Sequence, residues 1–170
     1  NRLYWSGDSY PKMSHRTGIL SGSAPYPTTS YRLGIPAPAV VQFTANQPAG
    51  TQDATTTPID VSYVITYVSN FGEEGPPSPA TTTKTFTPST QTISFTLPSI
   101  PSGNYALSND GTGFPQGAKI RIYRSAVGST QAAFQLAAEV AIALSGSTHT
   151  DQLQPAALQE VIPSTTWIGP

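Results

Sequence analysis

The residues best suited to chemistry are two histidines and the carboxylates nearest to them. His149 and Asp151 stand two positions apart, so on a strand they would share one face and could form a hydrogen bond. Ser147 completes a conceivable Ser–His–Asp set, but no Gly-x-Ser-x-Gly turn or identifiable oxyanion-hole loop accompanies it. We therefore predict that these residues form a polar strand edge and that the chain has no catalytic residues.

A metal site needs three or four converging ligands, which this sequence does not supply at any recognisable spacing. The chain has no cysteine, and its two histidines, His15 and His149, are not paired at a spacing of two or four residues. Without cysteine, disulfide scaffolds and thiolate-ligated metals are excluded. We predict that neither histidine binds a metal or acts as a general base.

The charged residues and glycines suggest two further sites, and the pattern favours neither. Glu73 and Glu74 are adjacent, so in an extended turn they point apart and cannot flank one scissile bond, and we expect both to be solvated turn residues. Lys119, Arg121 and Arg124 could hold a phosphate, but three charges on one hairpin usually form the polar face of a sheet. The glycines follow no phosphate-binding motif. We predict no cofactor and no enzyme activity.

Composition indicates an all-β protein with little electrostatic character. The chain has 170 residues, of which 19 are Ser, 23 are Thr, 14 are Gly and 17 are Pro, and only 10% are charged. Its net charge of −1 gives no footprint for nucleic acid or an anionic membrane, and no apolar run approaches the roughly 20 residues of a membrane span. The first residue is Asn and the only Met is Met13, so we expect a processed product or a piece of a longer chain.

Alternation of apolar and polar residues predicts seven strands. The strands are expected within residues 41–45, 61–68, 81–86, 92–97, 119–124, 134–140 and 148–151. Short strands separated by Gly and Pro turns are typical of an antiparallel β-sandwich. The predicted core contains Phe43, Tyr67, Ile93, Phe95, Leu97, Ile122, Phe134 and Leu136. Residues 131–144 also have high helix propensity, so a helix remains an alternative there.

The chain divides into three parts by pattern. Residues 1–36 have single aromatics and many turn residues without a period, and predict an extended N-terminal arm that contacts a neighbour more than its own sandwich. Residues 37–162 are the sandwich, with its strands between 39 and 152. Residues 163–170 form an exit segment, and the aromatic ends at Trp5 and Trp167 are expected to dock on something.

Two phrases in the sequence resemble fibronectin type III domains. Residues 67–79 (YVSNFGEEGPPSP) are similar to the late strand and following turn of that family, and residues 120–125 (IRIYRS) with 150–155 (TDQLQP) are similar to its middle. The resemblance implies an immunoglobulin/fibronectin III-like sandwich of about seven strands. Because the late phrase comes first, it also implies a permuted or offset strand order.

The set of phrases taken together resembles a module of bacteriophage virion proteins, particularly tail components. The similar runs are 2–5 (RLYW), 11–13 (PKM), 31–38 (YRLGIPAP), 67–79, 122–124 (IYR) and 162–167 (IPSTTW). The resemblance implies a structural tail domain that contacts other virion subunits and forms a ring of identical copies. The alternative is a fibronectin III-like binding or spacer module of a bacterial surface or secreted protein, located outside the cell.

Overall fold

Antiparallel strands make up most of the regular secondary structure in the described residues. The computed structural model describes residues 2–7, 9–20, 27, 29–108, 114, 116–125 and 133–163. In chain order, the strands are β1 (Arg2–Trp5), β2 (Lys12–His15), β3 (Tyr31–Arg32), β4 (Gln42–Phe43), β5 (Ala49–Gly50), β6 (Ile59–Val61), β7 (Tyr63–Val68), β8 (Lys84–Phe86), β9 (Gln91–Thr96), β10 (Lys119–Ser125), β11 (Phe134–Ala141) and β12 (Thr148–Asp151). These strands confirm the predicted all-β class.

Helical structure in the described residues is short. One α-helix, α1, spans Arg16–Leu20, and 3-10 turns span Ile142–Leu144 and Pro155–Ala157. None of the helices in the described part of the chain is long and apolar enough to cross a membrane.

The first sheet of the sandwich has the order β11-β10-β7. Every residue of β7 is buried, because both faces of this strand are covered. The Pro-rich residues 75–81 run along the other edge of β7, where the amides of Gly75, Ser78 and Thr81 donate to β7 carbonyls at 2.8–3.0 Å. The hydroxyls of Ser78 and Thr81 accept the β7 amides of Ile65 and Tyr63 at 3.0 Å. Side-chain hydroxyls therefore complete the ladder of hydrogen bonds between β7 and this proline-rich segment.

The second sheet has the order β12-β9-β4, and β5 also pairs with β9. In β9, alternate residues are buried, which places Ile93 and Phe95 on the inner face. A separate two-stranded ribbon is formed by β6 and β8. The strict period of two in β9 is the sequence pattern that an antiparallel sheet with one covered face requires.

One apolar core lies between the two sheets. It contains the predicted residues Tyr67, Ile93, Phe95, Leu97 and Ile122, all buried, and Phe43 packs against it half-buried. Members from both sheets share this cluster, so the all-β sandwich prediction is confirmed. The fibronectin III type stays a prediction.

A β-bulge changes the face of β11 and corrects the prediction for two core residues. Ile122 pairs with Ala138, whereas Tyr123 pairs with Leu136, so Ala137 is an extra residue in β11. Such an insertion reverses the side-chain alternation beyond it. Ala138 consequently packs on the inter-sheet core, while Leu136 and Phe134 lie in a second cluster on the outer face.

This outer cluster is covered by the end of the described chain. Ile162 packs there with Val64, Tyr123 and Leu136, and its amide donates to the carbonyl of Phe134 at 2.8 Å. The 131–144 alternative is also decided for the described residues, because 134–141 form β11 and only 142–144 are helical, as a 3-10 turn. Burial of one face on the sheet outweighs the helix propensity of the alanines.

Residues 1–36 differ from the predicted extended arm with few contacts to the sandwich. They form a sheet of their own, ordered β1-β2-β3, and α1 follows β2 directly. Ile35 is part of the inter-sheet core, and it sits so close to Gly75 that an added Cβ there would be 2.8 Å from Cγ2 of Ile35. Short strands separated by long connections leave no period to read, which is why the sequence did not reveal this sheet. Of the exit segment 163–170, only Pro163 is among the described residues. The prediction that Trp167 docks on something therefore lies outside them.

Candidate functional site

The conceivable set of Ser147, His149 and Asp151 is not assembled as a triad. Strand β12 does place His149 and Asp151 on one face, opposite Phe95 and Ile93. The oxygens of Asp151, however, accept from Tyr63, Arg124 and the amide of Leu153. The hydroxyl of Ser147 donates to the carbonyl of Leu144 at 2.6 Å. His149 packs instead on the ring of Phe95, with the centroids 5.4 Å apart.

Asp151 belongs to a buried charged group at the end of the core. Nη1 of Arg124 donates to Oδ2 of Asp151 and to the carbonyl of Leu153, both at 2.8 Å, and the hydroxyl of Tyr63 donates to Oδ2 at 2.6 Å. Arg124 and Asp151 are 0% and 4% exposed, and Nε and Nη2 of Arg124 have no hydrogen-bond partner among the described residues. The guanidinium lies 5.9 Å from the centroid of Phe86.

This arrangement corrects the prediction for Arg124, which does not lie on the polar face of the hairpin. Residues 121 and 124 are an odd number of positions apart, so a strand turns them to opposite faces. The parity was the signal in the sequence that could have identified Arg124 as an inward residue. A buried ion pair of this kind needs its hydrogen bonds, because an isolated charge in the core is costly.

Burial sets the protonation states around this group. It raises the pKa of Tyr63 above its usual range, with the Asp151 charge and hydrogen bond adding to the effect, so Tyr63 stays protonated and donates. Burial lowers the pKa of His149, and the nearby Asp151 charge opposes this. Both shifts favour neutral side chains beside the ion pair.

A second charged network lies on the outer face of the first sheet. Nη1 of Arg121 donates to Oε2 of Glu74, and its Nε donates to Oε2 of Glu139, both at 2.9 Å. Oε1 of Glu74 accepts from the hydroxyls of Thr66 and Tyr123 at 2.6 Å, and Lys119 pairs with Glu139. Glu74 is thus not the solvated turn residue that was predicted, since its side chain is only 17% exposed.

The cations of this network are matched by carboxylates. Hydrogen bonding to Lys119 and Arg121 lowers the pKa of Glu139, against the effect of burial. Burial alone would lower the pKa of Arg121, but the bonds to Glu139 and the Glu74 charge raise it. Glu73, as expected of adjacent turn residues, points elsewhere and pairs with Arg2. These contacts tie β7, β10 and β11 together.

A third cluster joins the N-terminal sheet to the sandwich through aromatic rings. Phe114 contacts the rings of His15, Tyr31 and Phe71 at centroid distances of 4.8, 5.4 and 5.4 Å. The guanidinium of Arg2 lies 4.3 Å from the centroid of Phe71. Nδ1 of His15 accepts the amide of Gly18 at 3.2 Å, so His15 also holds the first turn of α1. Sequence reasoning missed this cluster, because its members are far apart in the chain and follow no pattern.

The other side of the N-terminal sheet carries cations and apolar side chains. Register pairs Trp5 with Lys12, and Lys12 with Arg32, so these three share a face with Leu3, which pairs with Ser14. Arg32 and Lys12 both lie against the ring of Tyr10, at 4.6 and 5.0 Å from its centroid. Helix α1 lies on this side too, since Gly18 packs against Ser14.

We call this side of the N-terminal sheet the basic face, and define it as Leu3, Trp5, Lys12, Arg16, Leu20 and Arg32. Leu3 is exposed, Leu20 is 70% exposed, and Arg16 is exposed on α1. Protein–protein interfaces are enriched in aromatic and arginine side chains, and their buried centres are apolar. The basic face is therefore the candidate functional site.

Charge divides unevenly between the two parts of the molecule. Residues 1–36 hold four of the eight Lys and Arg and one of the nine Asp and Glu, which gives that segment a net charge of +3 and the remainder −4.

Among the described residues, no group of three or more His, Asp or Glu side chains could hold a metal ion.

The comparisons with known proteins add no family. No family model matches the chain, and no curated protein or solved structure matches it with significance.

Proposed function

We propose that this chain is a structural domain of a phage virion protein, associated with the tail and assembled in several copies around a ring. The observation that carries the proposal is the basic face, where Leu3 and Leu20 are exposed beside the half-buried Trp5 and Arg32. In a free monomer, exposed apolar side chains that lie together are a liability, whereas in an assembly they become interface.

The edge of the N-terminal sheet supports the same proposal. Among the described strands, β1 pairs only with β2 and is an edge strand, and its residues Leu3 and Tyr4 are exposed. Proteins that act as monomers usually protect such edges with charges, prolines or short strands. An edge strand beside the exposed apolar side chains of the basic face is suited to contact a neighbouring subunit. The Ser- and Thr-rich surface elsewhere avoids repulsion between identical neighbours.

We further propose that the sandwich is of the fibronectin III type with a permuted strand order. Strand β7 pairs with residues 75–81 on one side and with β10 on the other. The phrase at 67–79 that resembles a late strand and turn thus forms a hairpin beside a central strand, as in that family. The same pairing favours the second candidate, a binding or spacer module of a bacterial surface or secreted protein.

Immunoelectron microscopy separates the two candidates. An antibody raised against the purified chain is applied to phage particles and to host cells from a culture that produces this protein. We expect gold label on the tails of the particles, and the same antibody preabsorbed with excess chain serves as the control. Label on the cell envelope with none on any particle would contradict the virion proposal and support the surface module.

A further inference from the structure

Residues 159–162 run antiparallel along the edge of β11 that faces away from β10, and we call them the strap. The amide of Ile162 donates to the carbonyl of Phe134 at 2.8 Å. The amide of Leu136 donates to the carbonyl of Glu160, also at 2.8 Å. Main-chain hydrogen bonds of this kind are also what binds a strand that one protein adds to the sheet edge of another.

Alternate side chains of the strap face the first sheet. Ile162 is buried in the outer cluster, and Oε1 of Glu160 lies 3.8 Å from Nη1 of Arg121. Val161, between them, is 53% exposed. Without the strap, the edge of β11 and the outer cluster would be open to solvent. A strand must therefore cover them, and every copy of the chain carries the segment that fits.

The connection that joins β12 to the strap is a self-contained turn. Before the turn, Leu153 is anchored, because its carbonyl accepts from the buried Arg124 at 2.8 Å. Residues 154–158 follow, and within the described part of the chain their main-chain hydrogen bonds only close the 3-10 turn itself. Opened, the stretch from Leu153 to Gln159 spans up to about 20 Å, at roughly 3.3–3.6 Å a residue. The turn is thus a hinge that can carry the strap away while the sandwich stays as it is.

We infer that the strap is exchanged between copies, so that residues 159–162 of one chain cover the edge of β11 in the next. An exchanged strap makes the same bonds as one that folds back, so the local concentration of neighbours decides between the two, and assembly raises it. Exchange from each copy to the next is a head-to-tail contact, which closes into a ring when the rotation permits. The inference rests on the proposed assembly in several copies and names a segment that joins them.

A disulfide that locks the strap to its own chain tests the inference, because the protein has no cysteine. Gln135 and Val161 stand opposite each other in an antiparallel bridge, where Cα atoms are about 4.5–5.5 Å apart and within the range of a disulfide. The variant Gln135→Cys with Val161→Cys is treated with oxidised glutathione while dilute, and is then concentrated. In sedimentation, the locked chain should associate at least about tenfold more weakly than wild type, since its strap cannot leave.

The same variant with its disulfide reduced is the matched control, and we expect it to associate as wild type does. Loss of free thiol in the dilute chain shows that the variant is folded with its strap on β11.

A mixing experiment detects the exchange directly. Chains with Gln135→Cys alone are mixed at high concentration with chains with Val161→Cys alone, and oxidation should link the two by a disulfide. Leu144→Cys in place of Val161→Cys should give at most about a tenth as much of the mixed disulfide. Leu144 is exposed to a similar extent, 48%, but it lies beyond the other end of β11.

The other outcomes each overturn a different statement. A locked chain that associates as wild type does, or a mixed disulfide no more abundant than with Leu144→Cys, would overturn the exchange and leave the proposed assembly intact. Wild type that stays monomeric when concentrated would overturn the assembly as well. A disulfide that does not form in the dilute chain would overturn the position of the strap on β11, on which the inference depends.

Discussion

The sandwich and the N-terminal sheet are both antiparallel, but different interactions hold them. The sandwich has a continuous apolar core in which Tyr67, Ile93, Phe95 and Ile122 are at most 1% exposed. The N-terminal sheet has one buried apolar residue in its strands, Met13, and attaches to the sandwich through rings, cations and the anchor at Ile35. The difference indicates that the sandwich is stable by itself, while the smaller sheet depends on what it contacts.

Truncating a core ring should have the largest effect. Phe95→Ala removes a fully buried side chain and leaves a cavity, so we expect the free energy of unfolding to fall by about 3–5 kcal/mol. Urea unfolding followed by circular dichroism measures it. A loss below about 1 kcal/mol would mean that the core is not the main source of stability.

The buried ion pair should be about as sensitive to the loss of one partner. Arg124→Met leaves Asp151 as a buried charge without its cation, and we expect a loss of about 3–5 kcal/mol. Replacing both residues, as Arg124→Met with Asp151→Leu, should recover much of that loss, because no charge then remains buried. If the double variant is as unstable as the single one, the attraction within the ion pair stabilises the folded state by more than the free energy needed to bury its two charges.

A phenylalanine-to-alanine substitution in the aromatic cluster at the N-terminal sheet should act locally. Phe114→Ala removes the ring that contacts His15, Tyr31 and Phe71, yet it should change the global free energy of unfolding by no more than about 1 kcal/mol, since this ring is outside the core. Limited proteolysis should cut the N-terminal segment of this variant faster than in wild type. A global loss equal to that of Phe95→Ala would show that the two regions unfold together.

A smaller effect should appear as pH dependence. Burial lowers the pKa of His149 in the folded state, so below its ordinary value of about 6.5 the unfolded state binds more protons. The stability from a neutral His149 is therefore complete above about pH 6.5 and is lost as the pH falls towards the folded pKa. Unfolding curves of wild type between pH 5 and pH 8 should show this slope, and those of His149→Phe should show less of it. Equal slopes would contradict a half-buried, neutral His149.

The strands of the sandwich could be predicted from sequence, since period-two patterns such as that of Ile93, Phe95 and Leu97 reflect burial on one face. The face of β11 could not, because the bulge at Ala137 reverses the alternation without any local residue that requires it. A one-residue insertion is visible only once the partner strand is known.

The candidate site was less predictable than the fold. Arg124 could have been placed inside by strand parity, but its pairing with Asp151 depends on two sheets coming together. The basic face was not predicted, because Trp5, Lys12 and Arg32 meet through the register of β1, β2 and β3, and a long connection separates β2 from β3. Contacts between distant segments with no period leave no pattern in a single sequence.

Amide hydrogen exchange of wild type in dilute monomer and in the assembled state compares the two regions directly. In the dilute monomer, we predict fast exchange in Lys12–His15 and Tyr31–Arg32 and slow exchange in Tyr63–Val68. In the assembly, the first two strands should become protected while Tyr63–Val68 stays unchanged. Equal protection of both regions in the monomer, or no gain in the N-terminal strands on assembly, would contradict a self-sufficient sandwich whose N-terminal sheet is an interface.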